Sequence, residues 1–392
     1  MKTKAMYRIG IAVLALGMAS PASATWPLND SEQPGSVIVF HKFISGSAGD
    51  RPTTQFEISA TCPKNFACED GRIVRLRAHW VCPPDGNNPT VCQETDFELK
   101  LTINGTVVFD PNGGGGAQPA PCPRGYLIAW VIDEYGNGIK FDSLIGDAVI
   151  STGPTSARAY NALPIQAAEH LETGTVITGD NGPLAFDGEN YKAVTGKIYG
   201  GVRYESDAPP VRTDLTLLTL DVRSNMPNEQ TFVGLNFYNE GEVLHSTGTN
   251  FTCWSEQRLR EIDPFLDRAF GDKGLVESTF AVQASGTPVT LVGIVETSEE
   301  VSLPFSTPAQ TVTTTVVFPG VCLGAAQTIG ACTFTPLAGC SPFPGFGPGT
   351  TVRCTGTAPP QFGEIFGLRD HAYSLFHDGT PVPTRFEPKP PQ

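Results

Sequence analysis

The chain is poor in methionine, histidine and positive charge: four Met, six His, and 26 Lys plus Arg against 40 Asp plus Glu in 392 residues. No Lys/Arg run interrupts that acidity. Affinity for nucleic acid rests largely on phosphate neutralisation by Lys and Arg, so a nucleic-acid function is excluded, and an anionic membrane would repel the surface. No cysteine pair has C-x2-C spacing, which argues against structural zinc. A G-x-S-x-G elbow is absent; SGSAG (45–49) has the wrong spacing and no helix after it. GGGG (113–116) lacks a following Lys-Ser/Thr and reads as an exposed turn, not a phosphate loop.

Histidine offers no chelating pattern. His371 and His377 in DHAYSLFHD lie six apart, roughly 20 Å along a strand and off one face of a helix. His41, His79, His170 and His245 are isolated and read as packing or surface residues. No cofactor or metal ligand set is assigned.

Residues 1–24 have the form of an export signal. Lys2, Lys4 and Arg8 precede the apolar Ile9–Ala19, too short for a stable membrane span, and Ala22-Ser23-Ala24 supplies small residues for cleavage after Ala24. Cleavage removes three positive charges and no acid, taking the formal charge from −14 to −17. FEPKPPQ at the end carries neither an apolar tail nor a basic stop, so no membrane span is expected after cleavage. The expected location is secreted or periplasmic.

Abundant Gly (42) and Pro (34), with β-branched and aromatic residues throughout, suit an all-β extracytoplasmic protein. All ten cysteines follow the signal: Cys62, Cys68, Cys82, Cys92, Cys122, Cys253, Cys322, Cys332, Cys340 and Cys354. An even number in an exported chain predicts up to five disulfides. Local pairing gives Cys62–Cys68, Cys82–Cys92, Cys322–Cys332 and Cys340–Cys354, leaving Cys122 for Cys253, although sequence does not fix connectivity.

Residues 25–35 read as an irregular lead-in. From Ser36 short strand-like runs alternate with turns: in Ile73–Val81, Val74, Leu76, Ala78 and Trp80 share one face, and Ile73, Arg75, Arg77, His79 and Val81 the other. A second series begins near Gly182. QFEISAT, VRLRAHW and YLIAWVID resemble LLTLDVR, VGLNFYN and TLVGIVET in the same order at an offset near 160, which suggests a duplication. The expected fold is all-β: two tandem antiparallel β-sandwiches, 36–160 and 182–298, with short helical insertions and a Cys/Pro-rich segment, 299–392. A linker, 161–181, carries a short helix around Pro164–Leu171. A second helix starts at Asp263-Pro264 and ends at Gly271.

PGSVIVF (34–40), RGYLIAWVID (124–133), IKFDSLIGDA (139–148), AYNALPIQA (159–167), LNFYNE (235–240) and FTCW (251–254) resemble a family of exported bacterial proteins that is itself uncharacterised. The resemblance spans roughly residues 34–297. It implies a bacterial source and an all-β fold, and brings no activity or catalytic residue with it.

Chemistry has few footholds. Glycoside hydrolysis needs two carboxylates about 5–10 Å apart. Asp133, Asp142 and Asp147 sit near one hairpin and Asp180, Asp187 and Glu189 in a Gly-rich loop, none distinguished from turn residues. Trp80, Trp130, Trp254, Tyr126, Tyr199, Tyr204 and Tyr238 could stack on sugar, but most fall where strands bury them. SPFPGFGPG (341–349) is the loop expected to meet a partner. VIDEYGNGIKFD (131–142) places Asn137 and Gly138 at calcium-loop positions, yet Tyr135 and Leu144 stand where ligands are needed, so a hairpin is expected. The expected role is non-enzymatic, structural or binding, toward an unknown extracytoplasmic partner. A secreted hydrolase, possibly acting on polysaccharide, and a calcium-stabilised adhesin-like module stay open.

Overall fold

Alternating side chains build the first half of the molecule. The computed structural model describes residues 29–46, 53–69, 71–153, 156–207, 210–239, 243–267, 277–285, 289–300, 312–316, 327–329, 332–336, 350–354, 368–374, 376–377 and 381–389, with 312–377 described by backbone alone. Almost all its regular structure is β. Ile73–Cys82 lies in a seven-stranded antiparallel sheet ordered Leu163–Ile165, Val37–Ile44, Arg124–Ile132, Ile73–Cys82, Gln93–Thr102; Asn137–Ile139 branches from Arg124–Ile132 and pairs with Val176–Asp180. A four-stranded sheet runs Thr106–Phe109, Thr53–Ala60, Leu144–Gly153, Ser156–Asn161. Both sheets fill one core, where Phe40, Phe56, Trp80, Phe97 and Phe109 pack with ring centroids 4.9–6.1 Å apart. As the alternation predicts, Val74, Leu76, Ala78 and Trp80 all enter it. Each such side chain contributes roughly 1.5–3 kcal/mol by leaving water.

The seven-stranded sheet is covered on its second face as well. Val37, Val39, Ile128, Trp130 and Ile132 pack there against Leu184, Phe186, Leu218, Val292 and Phe386 from the second half. Burial on both faces explains why VIVFHKFI and GYLIAWVI read as near-continuous apolar runs instead of alternating ones.

The second half has two five-stranded sheets. One is ordered Leu244–Phe251, Thr231–Asn239, Glu277–Ser285, Lys197–Arg203, Phe376–His377; the other Ser206–Asp207, Pro210–Leu218, Val292–Glu300, Leu368–Ser374, with Trp254–Arg258 on Pro210–Leu218. A third core, including Ile198, Leu215, Leu217, Leu235, Phe237, Val282 and Val295, draws on both. Cys253, at φ +62°, turns the chain from one sheet to the other between Phe251 and Trp254. Strands of the C-terminal segment join this body, Thr384–Glu387 lying between Leu184–Phe186 and Val222–Arg223. Val312–Val316, Thr350–Cys354, Cys332–Pro336 and Gln327–Ile329 form a further sheet in that order.

Three expectations need correction. Pro164–Leu171 is not a helix: Leu163–Ile165 pairs with Val37–Val39. Leu163 precedes proline, which favours extended backbone, and Leu163, Ile165 and Ala167 alternate into the second core. The strands aligned as a duplication occupy different places. In the first half the second and third of them, Ile73–Cys82 and Arg124–Ile132, are neighbours. In the second half the first and third, Pro210–Leu218 and Val292–Glu300, are neighbours. At Asp263 the expected cap forms, its carboxylate accepting from Phe265 N at 2.9 Å with Pro264 in the first position, but over a single 3-10 turn, Pro264–Leu266; Gly271 lies outside the described residues.

The cysteines correct the pairing. Cys62–Cys68 is as expected, but Cys82 pairs with Cys122 and Cys92 with Cys253, at Cα separations of 5.9, 6.0 and 6.5 Å. The side chains of Cys82 and Cys92 diverge. Cys82 packs in the core between the first two sheets, and Cys92 in the core shared with the second half. The side chains of Cys322, Cys332, Cys340 and Cys354 are outside the described residues, although the backbone register sets Cys332 opposite Cys354. Three pairs at disulfide distance fit an oxidising, extracytoplasmic compartment. No helix among the described residues is long and apolar enough to cross a membrane. A peptide map of the folded protein without reductant is expected to return these three pairs; a Cys82–Cys92 peptide would contradict the register of the first sheet.

Candidate functional site: a buried ionic cluster between the halves

A β-bulge creates the most unusual environment in the molecule. Between Phe40 and Phe43 the register of Val37–Ile44 on Arg124–Ile132 shifts by one residue, so His41 and Lys42 together oppose Tyr126. Bulges re-aim side chains. This one returns Phe43 to the first core and turns Lys42, 1% exposed, toward the second half. Gly125 permits it, since a Cβ there would lie 2.1 Å from Val81 O and 3.1 Å from the Phe43 ring.

Lys42 Nζ ion-pairs with both Glu256 Oε1 and Glu296 Oε2. The second oxygen of Glu256 accepts from Arg124 Nη1 at 2.5 Å, and that of Glu296 from Arg158 Nη1 at 3.2 Å. Tyr160 Oη donates to Lys42 O, and Trp254 Nε1 donates to His41 O at 2.9 Å. The glutamates owe their placement to sheet register. Thr216 stands opposite Glu256 and Asp214 opposite Glu296, so both carboxylates share the face that also sends Ile294 into the first core. Leu215, Leu217 and Val295 point the other way into the third core.

Burial alone would raise the Glu256 carboxyl, but Lys42 and Arg124 more than offset it and hold it below the ordinary glutamate value. Surface pairs such as Arg75–Glu98 add about 0–1 kcal/mol, whereas each buried ion here costs several kcal/mol to desolvate unless fully paired. Removing one member of the cluster is therefore expected to cost far more than breaking a surface pair.

A second buried pair anchors the C-terminus. Glu94 is held below the ordinary value of 4.5, burial being outweighed chiefly by its bonds to His79 and to the backbone at Lys389. An ionised carboxylate only accepts, so His79 Nδ1 carries the donated proton. The imidazole stacks on Trp130 at 4.5 Å, and Lys389 N donates to Glu94 Oε2 at 2.9 Å. A cleft of about 330 Å³ lies alongside, but its cations are engaged: Arg385 with Glu387 at 3.5 Å, Arg223 with Pro227 O at 3.0 Å. Because Glu94 and Glu256 both titrate lower in the folded state, their stabilisation is present above about pH 4.5 and is lost as pH falls through the folded values. Melting temperature is expected to drop below pH 4.5, and Glu94→Gln to flatten that slope; an unchanged slope would contradict the pairing.

The acids singled out from sequence do not converge. Asp133 accepts from Tyr135 N and from Asn137 N and Nδ2 at 2.8–2.9 Å within a turn whose Gly136 has φ +86°, and Ile132 pairs with Gly138, the hairpin geometry expected. Asp142 is buried, which raises its carboxyl, and accepts from Ser36 Oγ and Ala167 N. Asp180 pairs with Arg77, and Asp187 closes its own turn on Glu189 N and Asn190 N. Asp147 lies in Leu144–Gly153 opposite Glu57, which, after burial, raises it. Trp80, Trp130, Tyr126 and Trp254 are buried and Tyr204 half-buried, while Tyr238 is exposed. SPFPGFGPG and the side chains of Tyr199, His371 and His377 lie outside the described residues. Lys42 was legible as a charge inside SVIVFHKFIS, but Glu256 and Glu296 carry no local mark.

Comparisons with family models, with curated proteins and with solved structures each find no match to this chain.

Proposed function

We propose that the chain is an exported, non-enzymatic structural or binding protein, two β-sandwiches in tandem joined into one rigid body. The observation that supports this reading is the direction of its buried charges. Lys42, Glu256, Glu296, Arg124 and Arg158 pair with one another across the join, and so specify how the halves meet. The Cys92–Cys253 link and the shared apolar core reinforce the same join. Buried ionic groups are weak stabilisers and find their best-attested use in fixing register. On this reading an extracytoplasmic partner binds the outside of a rigid body and nothing is turned over inside it.

Hydrogen exchange tests the reading. Amides of Thr53–Ala60 and of Thr231–Asn239 are expected to lose protection together, at one denaturant concentration, because neither half opens without exposing the shared core. Separate losses, one half staying protected while the other exchanges, would overturn it.

A further inference from the structure

Lysine is almost never fully buried, and one carboxylate would suffice to neutralise it. Lys42 instead meets two, on side chains 8% exposed for Glu256 and fully buried for Glu296. Beside them Thr216 Oγ1 is buried with no hydrogen-bond partner among the described residues, on the same sheet face. A buried amine flanked by two carboxylates, each with an arginine on its far oxygen, has every group an amide condensation requires. We propose that Lys42 and Glu296 are joined by a self-formed isopeptide bond, with Glu256 carrying the protons and Arg158 holding the oxygen on which negative charge develops.

The step balances within the cluster. Glu256 takes one proton from the Lys42 ammonium and delivers it to Glu296 Oε2. The freed lone pair on Nζ attacks Cδ of Glu296, forming the C–N bond. Charge moves onto Oε1, which Arg158 Nη1 faces at 3.2 Å. Glu256 then carries a second proton from nitrogen to Oε2, and the Cδ–Oε2 bond breaks with its electron pair to release water. An ammonium and a carboxylate become one amide and one water; Glu256 is regenerated, and no oxidant or added reactant enters. Folding supplies the proximity that makes such a condensation accessible. The bond would tie the first strand to one lying 254 residues further along, closing covalently the same join that the Cys92–Cys253 pair closes.

Intact mass of the folded, then reduced and denatured, protein tests this. Wild type is expected to be lighter by one water than its sequence, with a branched peptide linking Lys42 to Glu296. Glu256→Gln keeps the shape but cannot carry a proton, and Lys42→Arg removes the nucleophile. Both are expected at full mass, with Cys82–Cys122 and Cys92–Cys253 formed as proof of folding. Wild type at full mass overturns the proposal. So does water loss that persists in either variant, or a branch to Glu256 in place of Glu296. The proposal stands apart from the functional reading, because an uncondensed cluster would still leave the two halves unfolding together.

Discussion

With the cluster in its uncondensed ionic form, replacing Lys42 by methionine is expected to cost the folded protein about 3–5 kcal/mol, the loss seen when one partner is removed from a buried ionic group. Methionine fits the stem and loses little packing, so the cost is electrostatic. Glu256 and Glu296 would remain on one buried face with only Arg124, half exposed, and Arg158 to answer them. The sign with pH follows. Without the ammonium the two carboxylates keep only the arginines, so the deficit is largest at neutral pH, where both are charged, and shrinks as acid neutralises them. Urea denaturation at pH 7 and pH 4.5 reads both effects. A triple variant, Lys42→Met with Glu256→Leu and Glu296→Leu, is expected to recover most of the loss, because an apolar group of similar volume replaces an ionic one at little cost. A deficit below about 1 kcal/mol at pH 7 would mean that the cluster behaves as a solvated surface pair.

The all-β fold was legible wherever one face of a strand meets water, as in the first half of Ile73–Cys82, whose alternation places Val74 and Leu76 inward and Ile73, Arg75 and Arg77 outward without help from the rest of the chain. It was less legible where a strand is buried on both faces. Val37–Ile44 shows no alternation to read, and the bulge that aims Lys42 leaves no trace in composition. Leu163–Ile165 was misread because the alternation of Leu163, Ile165 and Ala167 is too short to tell from a helical pattern, although Leu163 before proline favours the extended backbone that pairs with Val37–Val39. The cluster needed five strands far apart in sequence to be brought together, and register alone decides that Glu256 and Glu296 share a face. Disulfide pairing failed for the same reason. Proximity in sequence suggested Cys82–Cys92, whereas strand geometry sends the two side chains into different cores.

Removing Cys92 and Cys253 together, as alanines, is expected to cost more than removing either other pair. In the chain-entropy model a cross-link stabilises by restricting the unfolded ensemble, and the effect grows with the logarithm of the enclosed loop. The enclosed separations are 6, 40 and 161 residues for Cys62–Cys68, Cys82–Cys122 and Cys92–Cys253. Those lengths correspond to roughly 2, 4 and 5 kcal/mol. Packing pushes the ranking in the same direction. Cys92 and Cys253 are both buried in the core the halves share, so their loss also opens space there, while Cys62 and Cys68 lie at its margin on the first core. Cys253 adds a local effect, since it holds a left-handed backbone that the bond helps to fix. Denaturant midpoints of the three double-alanine variants, each with its remaining pairs intact, measure the series. If the Cys62/Cys68 variant lost as much as the Cys92/Cys253 variant, the long link would not be constraining the unfolded chain, and the halves would owe their union to the ionic cluster and the apolar core alone.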